Sequence, residues 1–205
     1  MMAIKRISFE DIGPLNQSHF FDSDSYAEVT RGRSLPHWNQ YGKMVFVTFR
    51  TADSMPRSVL AALSMTQSDK TKSAYLSLEK YLHQGHGASL MQHQDIRRIV
   101  EASIRYHDGV SFLCYGFVIM PNHAHMLILP LQEDVHKAIA AIKRYSAREI
   151  NIKTGRAGSF WQTECFDTLV RNTAHFSRIR DYIADNPRNL APSSYSLYLP
   201  SYPTC

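Results

Sequence analysis

The chain has 205 residues, of which 44% are hydrophobic, and a formal net charge of +5. This length and apolar content predict one globular domain with elaborated ends and a packed core. No apolar run approaches the roughly 20 residues of a membrane span, and the N-terminus lacks the apolar stretch of a secretory signal. The composition therefore excludes a membrane protein and favours a cytoplasmic location with no membrane partner.

The N-terminal part of the chain contains one clear strand. Met44–Arg50 is β-branched and aromatic, and the TADSMP that follows it is typical of a turn. Pro56 stands where a helix can begin, because proline is tolerated in a first helical turn. The polar stretch Ser68–Met91 is interpreted as an insertion, and residues 1–40 as a turn-rich extension.

The pattern becomes more regular after this stretch. Two strands separated only by a Pro-Asn pair predict an antiparallel hairpin. The helix after the hairpin carries alanine and isoleucine on one side and basic residues on the other, and a proline ends the last helix. The predicted elements are a helix at Gln94–His107, strands at Phe112–Met120 and His123–Pro130, a helix at Val135–Asn151, a strand at Phe160–Val170 and a helix at Arg171–Asp185.

With one helix set aside, this order matches the βαββαβ arrangement of ferredoxin-like (RRM-like) folds. We therefore predict an α+β fold in which an antiparallel sheet has its helices on one face. The strand that begins at His123 should be one of the two central strands. The expected boundaries are an N-terminal extension at 1–40, the main domain at 41–190 and an irregular tail at 191–205.

The three cysteines share no metal-ligand or redox spacing. They are Cys114, Cys165 and Cys205. Reduced thiols are therefore predicted, two of them buried in strands, and no function is assigned to them.

The decapeptide PNHAHMLILP places two histidines around one alanine at the head of an apolar run. In a strand, side chains two residues apart project from the same face, so His123 and His125 would direct both imidazoles to one point. This is how a strand can build half of a metal site. The chain has ten histidines, so the pair alone could arise by chance.

The stretch RDYIADNP supplies a second pair of candidate site residues. Tyr182 and Asn186 are four residues apart, which places a phenol and an amide carbonyl on one helical face. Each also has a structural explanation, because an Asn-Pro pair often ends a helix and a core tyrosine satisfies its hydroxyl. Together with the histidine pair, they favour phosphoryl transfer.

The charge is concentrated between these two motifs. From Lys137 to Arg180 there are nine basic and three acidic residues, which leaves the rest of the chain with a net charge of −1. A basic surplus in this position is typical of a face that binds a polyanion. Solvated helix faces are an equally acceptable explanation of the charge alone.

The combination of PNHAHMLILP, GRAGSFWQTECFDTLVRN and YIADNP resembles the REP-associated tyrosine transposases, within the HUH group of single-strand DNA transposases. The resemblance runs from about Leu35 to Leu190. The chain departs from the family after Asn-Pro, where it continues as NPRNLAPSSYS. This departure affects the expected handling of the substrate more than the expected chemistry.

The resemblance implies His123, His125 and Asn186 as ligands of Mg²⁺ or Mn²⁺, and Tyr182 as the nucleophile that forms a 5′-phosphotyrosine with DNA. Tyrosine has an unperturbed pKa of about 10, so its proton must be lost before attack. Single-stranded or hairpin DNA is the expected partner of a monomer or homodimer. The expected DNA-binding residues are Lys143, Arg144, Arg148, Arg171, Arg178 and Trp161, the last as a stacking platform unless it is a core residue.

Two other functions stay open from the sequence. A ferredoxin-like sheet can bind nucleic acid without catalysis. Alternatively, His123 and His125 with a third histidine could hold a hydrolytic zinc ion, which would leave Tyr182 structural.

Overall fold

The structure is a computed structural model that describes residues 5–25, 27–31, 36–55, 81–82, 85–132 and 135–203. The predicted helix start at Pro56 and the first part of the predicted insertion lie outside these residues. In the described ranges, no helix is long and apolar enough to cross a membrane.

Seven strands form two sheets in the described part of the chain. Their bounds are β1 Glu28–Arg31, β2 Pro36–Asn39, β3 Val45–Arg50, β4 Phe112–Ile119, β5 His123–Pro130, β6 Phe166–Leu169 and β7 Ser196–Tyr198. β1 and β2 form a separate antiparallel pair. The main sheet is antiparallel throughout and has the order β6-β3-β5-β4-β7. β3 and β5 are interior strands, so the histidine-bearing strand lies where it was predicted.

Four α-helices with defined bounds accompany the sheets within the described ranges. They are α1 Phe9–Ile12, α2 Gln94–His107, α3 Val135–Thr154 and α4 Thr173–Asp185. The bounds of α2 agree with the prediction, and α3 is three residues longer, because it continues to Gly155, whose φ of 66° ends it. The Asn172 side chain accepts a hydrogen bond from the His175 amide and caps the start of α4.

The ferredoxin-like α+β fold is confirmed, with one correction to the placement of the helices. α2 and α3 pack on one face of the sheet, against Val47 and Met126. α4 packs on the opposite face, against Phe46 and Leu127. The two helices inside the βαββαβ unit therefore share a face as predicted, whereas the helix after its last strand covers the other one. Side chains alternate along β5, so its odd-numbered residues, which include both histidines, face α4.

Three short strands occur where irregular chain was predicted. β1 and β2 lie within the N-terminal extension, and β7 in the tail adds a fifth strand at the edge of β4. β6 is shorter than the predicted strand Phe160–Val170, because before Phe166 only Trp161 forms an isolated bridge, to Thr51.

Candidate active site

The two histidines lie together in the protein interior at the start of β5. His123 is 1% exposed and His125 0%, and their ring centroids are 4.8 Å apart. Because they are two residues apart on one strand, both side chains face α4. The structure therefore brings the predicted pair together on the face where the predicted tyrosine also lies.

A buried asparagine determines which nitrogen of His123 carries the proton. The Asn122 amide nitrogen donates to the backbone carbonyls of Leu82 and His86, both at 3.2 Å. Its Oδ1, which can only accept, therefore faces His123 Nδ1 at 2.7 Å. In neutral His123 the proton is on Nδ1, so the lone pair is on Nε2, the atom that can bind a metal ion.

His125 connects a threonine on β3 with the candidate nucleophile on α4. Its Nδ1 lies 2.8 Å from Thr48 Oγ1, and its Nε2 lies 3.3 Å from the Tyr182 hydroxyl. With Nδ1–H donating to Thr48, Nε2 accepts the phenol O–H. The predicted nucleophile and the histidine pair are therefore in direct contact, although they are 57 residues apart in sequence.

An aromatic side chain fixes the positions of both rings. Phe46 stacks on the His125 ring with centroids 5.5 Å apart and an interplanar angle of 16°. It also meets the Tyr182 ring edge-on at 5.9 Å. Packing of this kind restricts the rotation of both side chains, so they are positioned before any substrate arrives.

Asn186 follows the last residue of α4, one turn after Tyr182. Its backbone amide donates to the Tyr182 carbonyl at 3.0 Å, which continues the helical turn. Its side chain is 8% exposed, and within the described chain neither Oδ1 nor Nδ2 has a hydrogen-bond partner. A buried amide without a partner is costly, by about 1–3 kcal/mol, so a ligand or water that bonds it would be favoured at this position.

A cavity of about 490 Å³ opens beside these residues. His123, Tyr182 and Asn186 contribute to its wall, and Asp185 and Arg188 place one negative and one positive side chain at its exposed side. The site is therefore accessible to a ligand from the side on which the phenol lies.

The donor set fits a divalent metal ion. The two imidazoles are oriented by Thr48 and Asn122, as is usual for ligating histidines. The partnerless amide of Asn186 has an oxygen atom of the kind that Mg²⁺ and Mn²⁺ sites use. Imidazole ligands suit Mn²⁺ somewhat better than Mg²⁺.

The basic helix α3 lies on the face opposite the histidines. Arg144 and Arg148 on this helix are exposed, whereas Lys143 is half-buried and donates to the Thr163 carbonyl at 2.7 Å. Burial lowers the pKa of Lys143. The structure therefore does not bring these three predicted DNA-binding residues to the side of the tyrosine.

Arg171 and Arg178 lie on the same side of the sheet as Tyr182. Both are exposed, and Arg178 precedes Tyr182 by one turn of α4. His175 lies between them, and its pKa is lowered by burial and then by the two guanidinium charges. These two arginines form a positive strip that leads to the candidate nucleophile.

Trp161 is a core residue, which is one of the two explanations that the sequence left open. It is 6% exposed, packs edge-on against Phe49 and Phe160, and donates from Nε1 to Ser146 Oγ at 2.9 Å. Its indole faces are covered, so they are not available to a DNA base in this structure.

Three residues of the site had no signal in the sequence analysis. Thr48, Asn122 and Phe46 were part of an ordinary strand and a turn, and nothing in their spacing distinguishes them. The register Thr48↔His125 between β3 and β5 explains the role of the threonine. A search for polar residues on the histidine face of the neighbouring strand would have found Thr48, once strand pairing was known.

The fold and the site together define a class of protein, a ferredoxin-like domain with a His-X-His pair on an interior strand and a tyrosine on the helix that covers it. The model of the family described as "Transposase IS200 like" matches residues 88–186, just under half of the chain. This segment contains both histidines, Tyr182 and Asn186. The match confirms the predicted resemblance to this transposase group.

One solved structure similar to this chain is titled "Structure of the REP associates tyrosine transposase bound to a REP hairpin". The identity is 16%, the TM-score is 0.44, and the similarity covers 84% of this chain and 94% of the other. A search of curated protein sequences found no match.

Proposed function

We propose that the protein is a metal-dependent transposase that cleaves and rejoins single-stranded DNA through a 5′-phosphotyrosine at Tyr182, with hairpins of the REP type as substrates. The observation that carries the proposal is the position of the Tyr182 hydroxyl, 3.3 Å from His125 Nε2 and one helical turn before the partnerless Asn186 amide. The candidate nucleophile thus lies beside the candidate metal donors, and Tyr182, His123 and Asn186 line the same cavity.

His123, His125 and Asn186 would hold Mg²⁺ or Mn²⁺ in this proposal. The ion supplies Lewis-acid polarisation of the scissile phosphate and offsets the charge that develops on its oxygens. Thr48 and Asn122 keep the imidazoles in the correct tautomers. His125 Nε2 can bind only one partner at a time. In this structure that partner is the Tyr182 phenol O–H.

The chain's own residues account for the covalent step. The Tyr182 oxygen, after loss of its proton, attacks phosphorus and forms a new P–O bond, while the bond from phosphorus to the 3′ oxygen breaks. The departing 3′ oxygen takes up a proton and becomes a hydroxyl. The phosphodiester energy is kept in the tyrosine linkage, so attack by another 3′ hydroxyl can rejoin strands without a nucleotide cofactor.

Arg171 and Arg178 are the better candidates for binding the DNA backbone near this site, since Arg178 is on α4, one turn before Tyr182, and Arg171 immediately precedes the N-cap of that helix. All four residues of the reaction centre come from one chain. In this proposal a single copy assembles the site, whether the protein is a monomer or a homodimer.

The decisive experiment incubates the protein with a labelled hairpin that carries a single-stranded flank, in Mn²⁺ or Mg²⁺. We expect a denaturant-resistant protein–DNA adduct that Tyr182→Phe does not form. Tyr106→Phe, at a 64% exposed tyrosine of α2, is the matched control and should form the adduct normally. DNA binding with no adduct would instead support a non-catalytic module. Turnover that survives in Tyr182→Phe without an intermediate would support a zinc hydrolase.

A further inference from the structure

A second set of potential metal ligands lies on the face of the sheet opposite the candidate active site. It consists of His136 in the first turn of α3, Cys165 immediately before β6, and Asp167 within β6. One donor atom from each residue can be chosen such that all three lie within 4.8 Å of one another. We call these three residues the α3–β6 cluster.

The position of the α3–β6 cluster separates it from the histidine pair. Cys165 belongs to the core between the sheet and helices α2 and α3. Asp167 pairs in register with Val47, whose side chain lies in the same core. His123 and His125 project from the other face, toward α4. The two groups of donors therefore cannot share one ion.

The residue types of the α3–β6 cluster distinguish it chemically from the active site. A thiolate, an imidazole and a carboxylate are ligands typical of zinc, whereas two imidazoles and an amide suit harder ions. Ligands around a tetrahedral zinc ion lie roughly 3.3–3.7 Å apart, because the metal–ligand distances are about 2.0–2.3 Å. Atoms within 4.8 Å of one another reach this separation with movements of about 1 Å, which side-chain rotation can supply.

Burial gives the α3–β6 cluster a reason to bind a cation. Cys165 is 8% exposed and Asp167 5%. Water screens charges little in such a position, so a dication bound directly to the Asp167 carboxylate would be strongly attracted to it. Because His136 is at the start of a helix and the other two residues are at an edge strand, a shared ion would also connect α3 with β6.

We propose that His136, Cys165 and Asp167 bind a zinc ion, with water as the fourth ligand, and that this ion fixes the edge strand β6 against α3. The proposal concerns a second metal site and does not depend on the DNA chemistry proposed for Tyr182.

Cobalt substitution tests the proposal, because only a cysteine ligand gives a thiolate-to-cobalt charge-transfer band in the near ultraviolet. The variant Cys114→Ser/Cys205→Ser leaves Cys165 as the chain's one thiol. We expect this variant to develop the band with one equivalent of Co²⁺, and one equivalent of Zn²⁺ to remove it. Cys165→Ser should lack the band. The active-site variant His123→Ala should keep it.

Folding defects are separated from ligand loss by a second variant and a second measurement. His136→Ala changes a half-buried residue at the start of α3 and should also lose the band. Zinc should raise the Tm of the parent protein in a concentration-dependent way, and should do so much less in His136→Ala. Absence of the band in Cys114→Ser/Cys205→Ser, its persistence in Cys165→Ser, or its loss in His123→Ala would each overturn the proposal.

Discussion

The two faces of β5 differ in where their apolar packing ends. Ala124, Met126 and Ile128 face α2 and α3, and all three belong to one apolar core. On the other face, Leu127 packs against α4, but His125 and His123 continue the same line of side chains toward the start of the strand. The face toward α2 and α3 is thus apolar along the whole strand. On the face toward α4, the apolar Leu127 is followed, two residues nearer the start of the strand, by the first candidate site residue, His125. The role of a β5 side chain, in the apolar core or in the candidate site, therefore depends on its position along the strand as well as on the face from which it projects.

The strongest test of this comparison is Asn186→Leu, which places an apolar side chain at the polar end of the α4 face. Cleavage should fall by more than the roughly 10–100-fold that is typical when only a partner of a metal ligand is lost. In the absence of divalent ions, however, the free energy of unfolding should rise by about 1 kcal/mol, because a buried amide without partners is removed. Cleavage assays and urea denaturation measure the two effects.

Asn189→Leu is the matched control for this variant. Asn189 lines the same cavity but is exposed, so its replacement should not stabilise the protein. A clear loss of stability in Asn186→Leu without metal would mean that the amide is satisfied within the protein, and it would argue against a ligand role.

Trp161→Ala tests the opposite face, where the comparison predicts a structural effect. Loss of the buried indole should lower the free energy of unfolding by about 3–5 kcal/mol, measured by chemical denaturation. Tyr145→Ala, at a 53% exposed position of α3, should change it by less than about 0.5 kcal/mol. A large drop in DNA affinity for the milder Trp161→Phe, with stability kept, would instead favour the stacking role.

Thr48→Val asks whether the threonine on β3 orients the metal ligand. The change removes the hydroxyl that lies 2.8 Å from His125 Nδ1 and nearly conserves the shape of the side chain. We expect the affinity for Mn²⁺ and the cleavage rate to fall by about 10–100-fold. Thr168→Val on β6, a half-buried threonine paired with Phe46, makes the same chemical change away from His125 and should leave both unchanged. Equal behaviour of the two variants would contradict the orienting role.

Elements with strong local patterns were predictable from the sequence. α2 and β5 have the predicted bounds because apolar periodicity and the Pro-Asn turn fix them locally. β1, β2 and β7 are short, and each is paired with a partner strand. No local sequence pattern predicts that pairing. The placement of α4 on the second face likewise depends on how the chain turns after β6.

The site shows the same division between local and non-local information. The contact between Tyr182 and His125 confirms that the two motifs lie together, because each motif is a strong local signal. Thr48 contributes through the pairing of strands whose contacting residues are 77 positions apart. Trp161 could be a platform or a core residue on composition alone, and only its packing against Phe49 and Phe160 distinguishes the two.

The smallest expected effect compares single arginines on the two faces. Arg178→Ala, one turn before Tyr182, should weaken single-stranded DNA binding a few-fold and reduce the dependence of log K on log salt by about 0.7, the value of one phosphate contact. Arg148→Ala on α3 should change both less, because Arg148 lies on the far face and already bonds Glu149 at 3.1 Å. Salt titrations by fluorescence anisotropy measure both quantities. If Arg148→Ala has the larger effect, the DNA crosses the α3 face, and the basic surplus predicted from the sequence acts there rather than beside the tyrosine.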